Sequence, residues 1–258
     1  MKTFKILQFN MQYGQAWDDA DPDRAPIDLD LTLEEIRSHG ADVILLQEVE
    51  RARPGGVQSN PPPNYTRLRA ELAGFDGYFA YPRADPRELP FGIGLAMFSR
   101  TPLRDILRRD LPSPPLEFEF GGEKHTPTDR LLVGATTTVA GRDVRLFNTH
   151  LLAFFMLNTN TSDYPLQLRL VLEAARASTG PTVLAGDFNV VSHEALTRQF
   201  SAAGYRSVQT DRATWRRHAF VLDHIFYNRH LRPVGHVVKP TRASDHHVIV
   251  AEFEFADA

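Results

Sequence analysis

The chain has 258 residues, 42% of them hydrophobic and 24% charged, which supports a substantial core and leaves no low-complexity tract to suggest disorder. It contains no cysteine, which excludes a disulfide framework, a thiolate zinc site and a cysteine nucleophile, so any metal must rest on oxygen or imidazole ligands. A formal net charge of −3 lacks the basic footprint of a tight, non-specific nucleic-acid binder.

Residues 4–10 alternate as a strand, and the chain enters it directly from Met1-Lys2-Thr3 with no apolar leader or small-residue cleavage site, which predicts a cytoplasmic protein. Residues 29–39 have helical periodicity and residues 42–47 form a buried strand. A Pro- and Gly-rich loop over 51–64 precedes a helix over 65–73 and a strand over 93–98. A second such loop over 111–129 leads into strands over 131–139 and 144–149. The apolar run 151–157 is far too short to span a bilayer, which needs about 20 residues. A helix over 166–177, a strand over 182–187, a helix over 193–203 and strands over 222–227 and 247–255 complete the chain. Gly40, Gly74, Gly180 and Gly204 each follow a helix end as C-cap signals. No repeat or linker divides the sequence, so residues 1–258 read as one domain.

Polar residues cluster where the buried strands end, the places from which a rigid scaffold presents chemistry. Asn10 closes the first strand, Glu48 follows the second, and Asn148 and His150 close the strand over 144–149. Asp187 and Asn189 end another, Asp223 opens the next, and Asp245 and His246 precede the last. Because alternate side chains of a strand share a face, Asn148 and His150 point together, as do Asp187 and Asn189 while Phe188 turns to the core. Singly, each residue reads as a helix cap, a solvated edge or a structural histidine. Together, seven strand ends carrying only Asn, Glu, His and Asp supply the inventory for a hard cation and a general base. Arg130, after the second loop, is a candidate for binding a substrate phosphate, with a solvated Arg as the alternative; His247 reads as structural, and Trp215 as structural too, with stacking on a base or ring as its alternative.

The ordered segments LQFN (7–10), LLQEV (45–49), GIGLAMFSR (92–100), FNTHL (147–151), AGDFN (185–189), LDHIF (222–226) and SDHH (244–247) resemble the endonuclease/exonuclease/phosphatase superfamily. That superfamily includes DNases, repair exonucleases, sphingomyelinases and inositol polyphosphate phosphatases. The resemblance runs nearly end to end and implies an α/β fold. Two mixed β-sheets would pack face to face with helices outside, a four-layer α/β/β/α sandwich. It implies Glu48 as the principal ligand of Mg²⁺ or Mn²⁺, with Asn10 beside it and Asp245 contributing. It further implies a His246–Asp223 dyad, Asp187 positioning or deprotonating the attacking water, Asn189 and Asn148 toward the substrate, and His150 stabilising the transition state or assisting the leaving group. Whether Asp187 or His246 takes the proton stays open at this point. FNTHL is similar to the NTHL-type branch rather than to the exonuclease III-like enzymes.

The function so implied is hydrolysis of a phosphodiester by in-line attack of a metal-activated water. The substrate could be a nucleic acid, a phospholipid headgroup or a small phosphate ester, and no obligatory protein partner is evident. A phosphomonoesterase acting on sugar or inositol phosphates is the alternative, and a catalytically silent binding module the third reading. The run 151–157 reads as a buried support for the site or, alternatively, as an apolar wall for a lipid or aromatic substrate.

Overall fold

Strands that are apolar at successive positions must be covered on both faces. The central strands here are of that kind, since Val43–Gln47 and Thr182–Asp187 are buried throughout. The structure, a computed structural model, describes residues 2–256; Met1, part of the expected leaderless start, and Asp257 and Ala258 lie outside the described residues. In chain order the elements are β1 (Phe4–Asn10), α1 (Leu29–Ser38), β2 (Val43–Gln47), β3 (Glu50–Arg51), α2 (Pro63–Glu71), β4 (Asp76–Ala80), β5 (Gly92–Ile93), β6 (Leu95–Ser99) and β7 (Arg104–Leu111). They continue with β8 (Phe118–Phe120), β9 (Glu123–His125), β10 (Arg130–Val139), β11 (Arg142–His150), α3 (Leu166–Arg176), β12 (Thr182–Asp187) and α4 (His193–Ala202). Last come β13 (Tyr205–Ser207), β14 (Asp223–Asn228), β15 (Leu231–Lys239) and β16 (Val248–Phe255).

Two six-stranded sheets form, ordered β15-β16-β1-β2-β6-β4 and β13-β14-β12-β11-β10-β7. Both are mixed: β1 and β2 run parallel, as do β11 and β12, and their other pairings are antiparallel. The period of two then assigns the layers. Ile6, Val43, Leu45 and Met97 of the first sheet meet Val133, Leu146, Val183 and Ile225 of the second in a central core. Their neighbours Leu7, Phe9 and Ile44 turn outward onto Leu33 and Ile36 of α1 and Leu68 of α2. Leu132, Phe147 and Leu184 turn outward onto Val171 of α3 and Phe200 of α4. The result is the expected α/β/β/α sandwich.

Helix α1 starts where Asp28 Oδ1 accepts from the Leu31 amide at 3.0 Å. Gly40, Gly74 and Gly204 follow helix ends with positive φ, whereas Gly180 is not left-handed and lies in a loop, so its expected capping role is corrected. Four strands of the six-stranded sheets had no counterpart in the sequence reading: β4, β7, β13 and β15, which are the four edges of those two sheets. The expected loop over 111–129 contains the β8–β9 hairpin.

At one end of the sandwich the inward-facing series stops being apolar. Ile6 gives way to Gln8 and Asn10, Leu45 to Gln47, Leu146 to Asn148 and His150, and Ala185 to Asp187, while Asp223 precedes Ile225. That polar end is where the candidate site lies.

Candidate active site

Three amides form its floor. Gln8 Nε2 donates to Gln47 Oε1 at 2.7 Å and to Asp223 Oδ1 at 2.8 Å, and Gln47 Nε2 donates to Asn148 Oδ1 at 2.6 Å. Asn148 Nδ2 donates to the carbonyls of Leu46 at 2.9 Å and Ala96 at 3.0 Å. All three side chains are fully buried. Asn148 was expected to face substrate; both its amide hydrogens are instead taken by main chain of the opposite sheet, so it ties the two sheets together beneath the site. Gln8 and Gln47 were not singled out, although their inward register two residues beyond Ile6 and Leu45 was legible.

Above this floor opens a cleft of about 640 Å³ whose wall includes Glu48, His150, Asp187, Asn189, Asp245 and His246. His246 Nδ1 lies 2.7 Å from Asp223 Oδ2, and His246 Nε2 faces Asp187 Oδ2 at 3.7 Å. Asp187 Oδ1 accepts from the Asn189 amide at 3.0 Å and Oδ2 from Asn10 Nδ2 at 3.1 Å; the same Asn10 nitrogen reaches Glu48 Oε1 at 3.0 Å. His150 Nε2 stands 3.6 Å from Asp187 Oδ2 and 3.8 Å from Glu48 Oε1. Asn10 Oδ1, expected as a metal ligand, accepts from the Gln12 amide at 3.2 Å, so Asn10 presents its NH₂ group to the two carboxylates and its oxygen away from them. Asn189 Nδ2 donates to the Leu151 carbonyl at 2.9 Å, leaving one amide hydrogen for the cleft.

The backbone is bent to achieve this. Gln12, Tyr13, Glu48 and Asn189 all have left-handed φ, between 43° and 51°, and all four line the cleft. For a residue with a Cβ this costs of order 1–3 kcal/mol, a strain that collects where side chains must be aimed. Beside Glu48 sits Gly92, where an added Cβ would fall 2.1 Å from Glu48 Oε2 and 2.5 Å from its Cβ. The room for the Glu48 side chain therefore depends on that glycine.

Burial dominates the electrostatics. It pushes Glu48 up to about 7, reinforced by the charge of Asp245, and Asp187 up to about 8, reinforced by Asp223. His150 is held well below its ordinary value by burial, with Arg130 and His246 adding to the effect. Burial would depress His246 too, but the charge and hydrogen bond of Asp223, followed by Asp187 and Asp245, hold it well above the ordinary range. The site therefore combines a protonated His246, a neutral His150 and carboxyl groups short of positive charge. Among the described residues, ligand atoms of Asp187, Asp223 and His246 lie within 4.8 Å of one another, a grouping that could hold a metal ion. The short Asp223–His246 contact already accounts for part of that grouping. The acids on the open cleft wall are Asp23, Glu48, Asp187 and Asp245, of which Asp23 is paired with Arg217.

Several wall residues were not anticipated. Arg217 pairs with Asp23 at 2.7 Å and with Asp245 at 3.2 Å, and Arg51 lies over the Tyr13 ring. Trp215, read as structural, lines the cleft and donates Nε1–H to Asp245 Oδ2 at 3.0 Å. Arg130 also faces the cleft, with its buried Nε lacking a partner, while His247 is absent from the wall. The run 151–157 divides: Leu151, Leu152 and Phe154 are core, whereas Phe155 and the exposed Met156 line the cleft.

The profile of the Endonuclease/Exonuclease/phosphatase family matches residues 7–246. A UPF0294 protein of Yersinia pseudotuberculosis is 35% identical over 137 residues, covering 50% of this chain and 51% of the relative. The chain thus spans about half the length of the curated relatives it matches. An endonuclease/exonuclease/phosphatase from Beutenbergia cavernae superposes with a TM-score of 0.72 at 21% identity, over 100% of this chain and 73% of that one. The human Nocturnin catalytic domain, solved with a bound sulfate anion, gives 0.64 at 21% identity, over 98% and 94%. No helix among the described residues is long and apolar enough to cross a membrane.

Proposed function

The chain belongs to the endonuclease/exonuclease/phosphatase family, and from that premise we propose that it is a Mg²⁺- or Mn²⁺-dependent phosphodiester hydrolase of the NTHL-type branch, formed as one domain. The observation that carries the reading is the meeting of Glu48, His150, Asp187 and the His246–Asp223 pair, from separate strand ends, at a single cleft. The residues fit a hard cation: the donors are carboxylate oxygens, and burial leaves Glu48 and Asp187 short of compensating positive charge. Glu48 and Asp245 would hold it, with the Asn10 amide fixing Glu48 against Asp187. A bound cation supplies Lewis-acid stabilisation of a phosphoryl oxygen and acidifies a water.

Because Asp223 keeps His246 protonated, His246 is the donor to a phosphoryl or leaving oxygen, and the role of base falls to Asp187. The main-chain N–H of Asn189 and the side-chain amide of Asn10 hold Asp187 in place. Neutral His150, 3.6 Å from Asp187, hydrogen-bonds the equatorial oxygens, with Asn189 and Arg130 on the substrate side. Arg217 is occupied by Asp23 and Asp245, which leaves Arg51 and Arg130, neither of them ion-paired among the described residues, as the cations on the cleft wall that can meet the substrate phosphate.

The test is hydrolysis of bis(p-nitrophenyl) phosphate and p-nitrophenyl phosphate with Mg²⁺, Mn²⁺ or EDTA. Diester turnover should exceed monoester turnover, vanish with EDTA and return with either metal. Turnover unaffected by EDTA after exhaustive dialysis, or confined to the monoester, overturns the reading.

A further inference from the structure

A second cavity of about 180 Å³ opens from the catalytic cleft, with Arg130, Phe91, Phe120, Ala153 and Met156 forming part of both walls. Three separate segments build it: the turn before β5 contributes Leu89 and Phe91, the β8–β9 hairpin Phe120, and the run after β11 Met156 and Leu157. Phe91 is 45% exposed, Phe120 40% and Met156 63%. Three large apolar side chains left in water around one groove mark a surface that has an occupant.

The polar groups of this groove are largely committed to one another. Glu88 is hydrogen-bonded by Thr128, and Arg87 is paired with Asp85 and bonded to Thr126 Oγ1 at 2.7 Å. Glu119, on the hairpin, is exposed and stands on the groove's rim. The guanidinium of Arg130 stands at the junction with the cleft, where its Nε is buried without a partner. The groove is therefore mostly apolar, with its polar side chains largely paired and a cation at its catalytic end. A nucleobase would bury polar edges here with few free groups to receive them. The Phe91 and Phe120 rings also meet edge to face, at 73° and 5.2 Å, and form no parallel slot for a base.

We infer that this groove binds the hydrocarbon portion of an amphiphilic phosphoester, with Phe91, Phe120, Met156 and Leu157 against the chain and Arg130 at its phosphate. The inference rests on the hydrolase reading for the position of the phosphate. Each methylene that enters the groove and leaves water should tighten binding about fourfold.

Calorimetric titration of methyl, butyl and octyl phosphate, below the concentrations at which they aggregate, tests it on the whole chain. The wild type should bind more tightly with each lengthening. The double variant Phe120→Ser/Met156→Ser should lose most of that dependence, and Phe120→Leu/Met156→Leu should keep it. Affinity independent of chain length, or a dependence that survives the serine variant, overturns the groove. In parallel, wild-type turnover of methyl p-nitrophenyl phosphate with Mn²⁺ reports on the hydrolase reading alone. Length-dependent binding without that turnover leaves the groove standing and removes the hydrolase.

Discussion

Burial alone would strip His246 of its proton, and the Asp223 carboxylate 2.7 Å away reverses that preference. The pair should behave as one catalytic unit. Asp223→Asn keeps the shape and removes the charge, so turnover should fall by about 10²-fold or more. His246→Ala should be at least as damaging, and the double variant should lose much less than the product of the two single losses. A kinetic double-mutant cycle at saturating metal measures this; multiplicative losses would show two independent residues. At this scale the sequence showed which residues face inward, because the period of two is local. It did not show that Asn148 is floor rather than wall, since the carbonyls that claim its amide belong to Leu46 and Ala96, 102 and 52 positions earlier in the chain.

The elements that sequence periodicity missed share a physical cause. An edge strand lacks a neighbour on one side, and in β7 and β15 most side chains are exposed or half-buried, so the apolar alternation that identifies a strand is absent. The interior strands β2 and β12 are buried at every position and were legible. The two-residue strand β5 was folded into the expectation for β6, yet it carries Gly92 against Glu48. Gly92 has no left-handed φ, so Gly92→Ala is compatible with its own backbone conformation, and its cost falls on Glu48, whose Cβ as well as its carboxylate must give way. Affinity for Mn²⁺ should drop about 10- to 100-fold, the usual effect of disturbing a ligand's support, while far-ultraviolet circular dichroism is unchanged. Native Mn²⁺ affinity in this variant would show that Glu48 does not bind the ion.

For the whole molecule, the uncompensated acids make a statement about stability. Burial raises Glu48 and Glu50 to about 7 and Asp187 to about 8, against about 4 in an unfolded chain. The folded state therefore binds more protons than the unfolded state between these values, and stability falls as pH rises through that window. His246, raised above its ordinary value, acts in the same direction. His150 and His224 are depressed and act oppositely, but only as pH falls below their unfolded value of about 6.5. The metal-free protein should accordingly lose thermal stability from pH 6.5 to pH 8, and Glu48→Gln should lose less. Saturating Mn²⁺ should raise the melting temperature more at pH 8 than at pH 6.5, because the ligands must be deprotonated to bind it. A flat or rising metal-free profile over that range in differential scanning calorimetry would contradict the charge imbalance.

What the sequence by itself determined is what short-range rules encode: the interior strands, the four helices, the inward register of Asn10, Asp187 and Asp223, and the family to which the ordered motifs belong. Only the tertiary structure decided which side chains meet. Gln8 reaches Asp223 across 215 positions, and Asn10 bridges Glu48 and Asp187 from 38 and 177 positions away. It also decided how the apolar run after His150 is shared between core and cleft, because Phe91 and Phe120 approach it from distant loops. Burial, and with it each shift in protonation, is a property of the assembled sandwich, and no window of local sequence contains it.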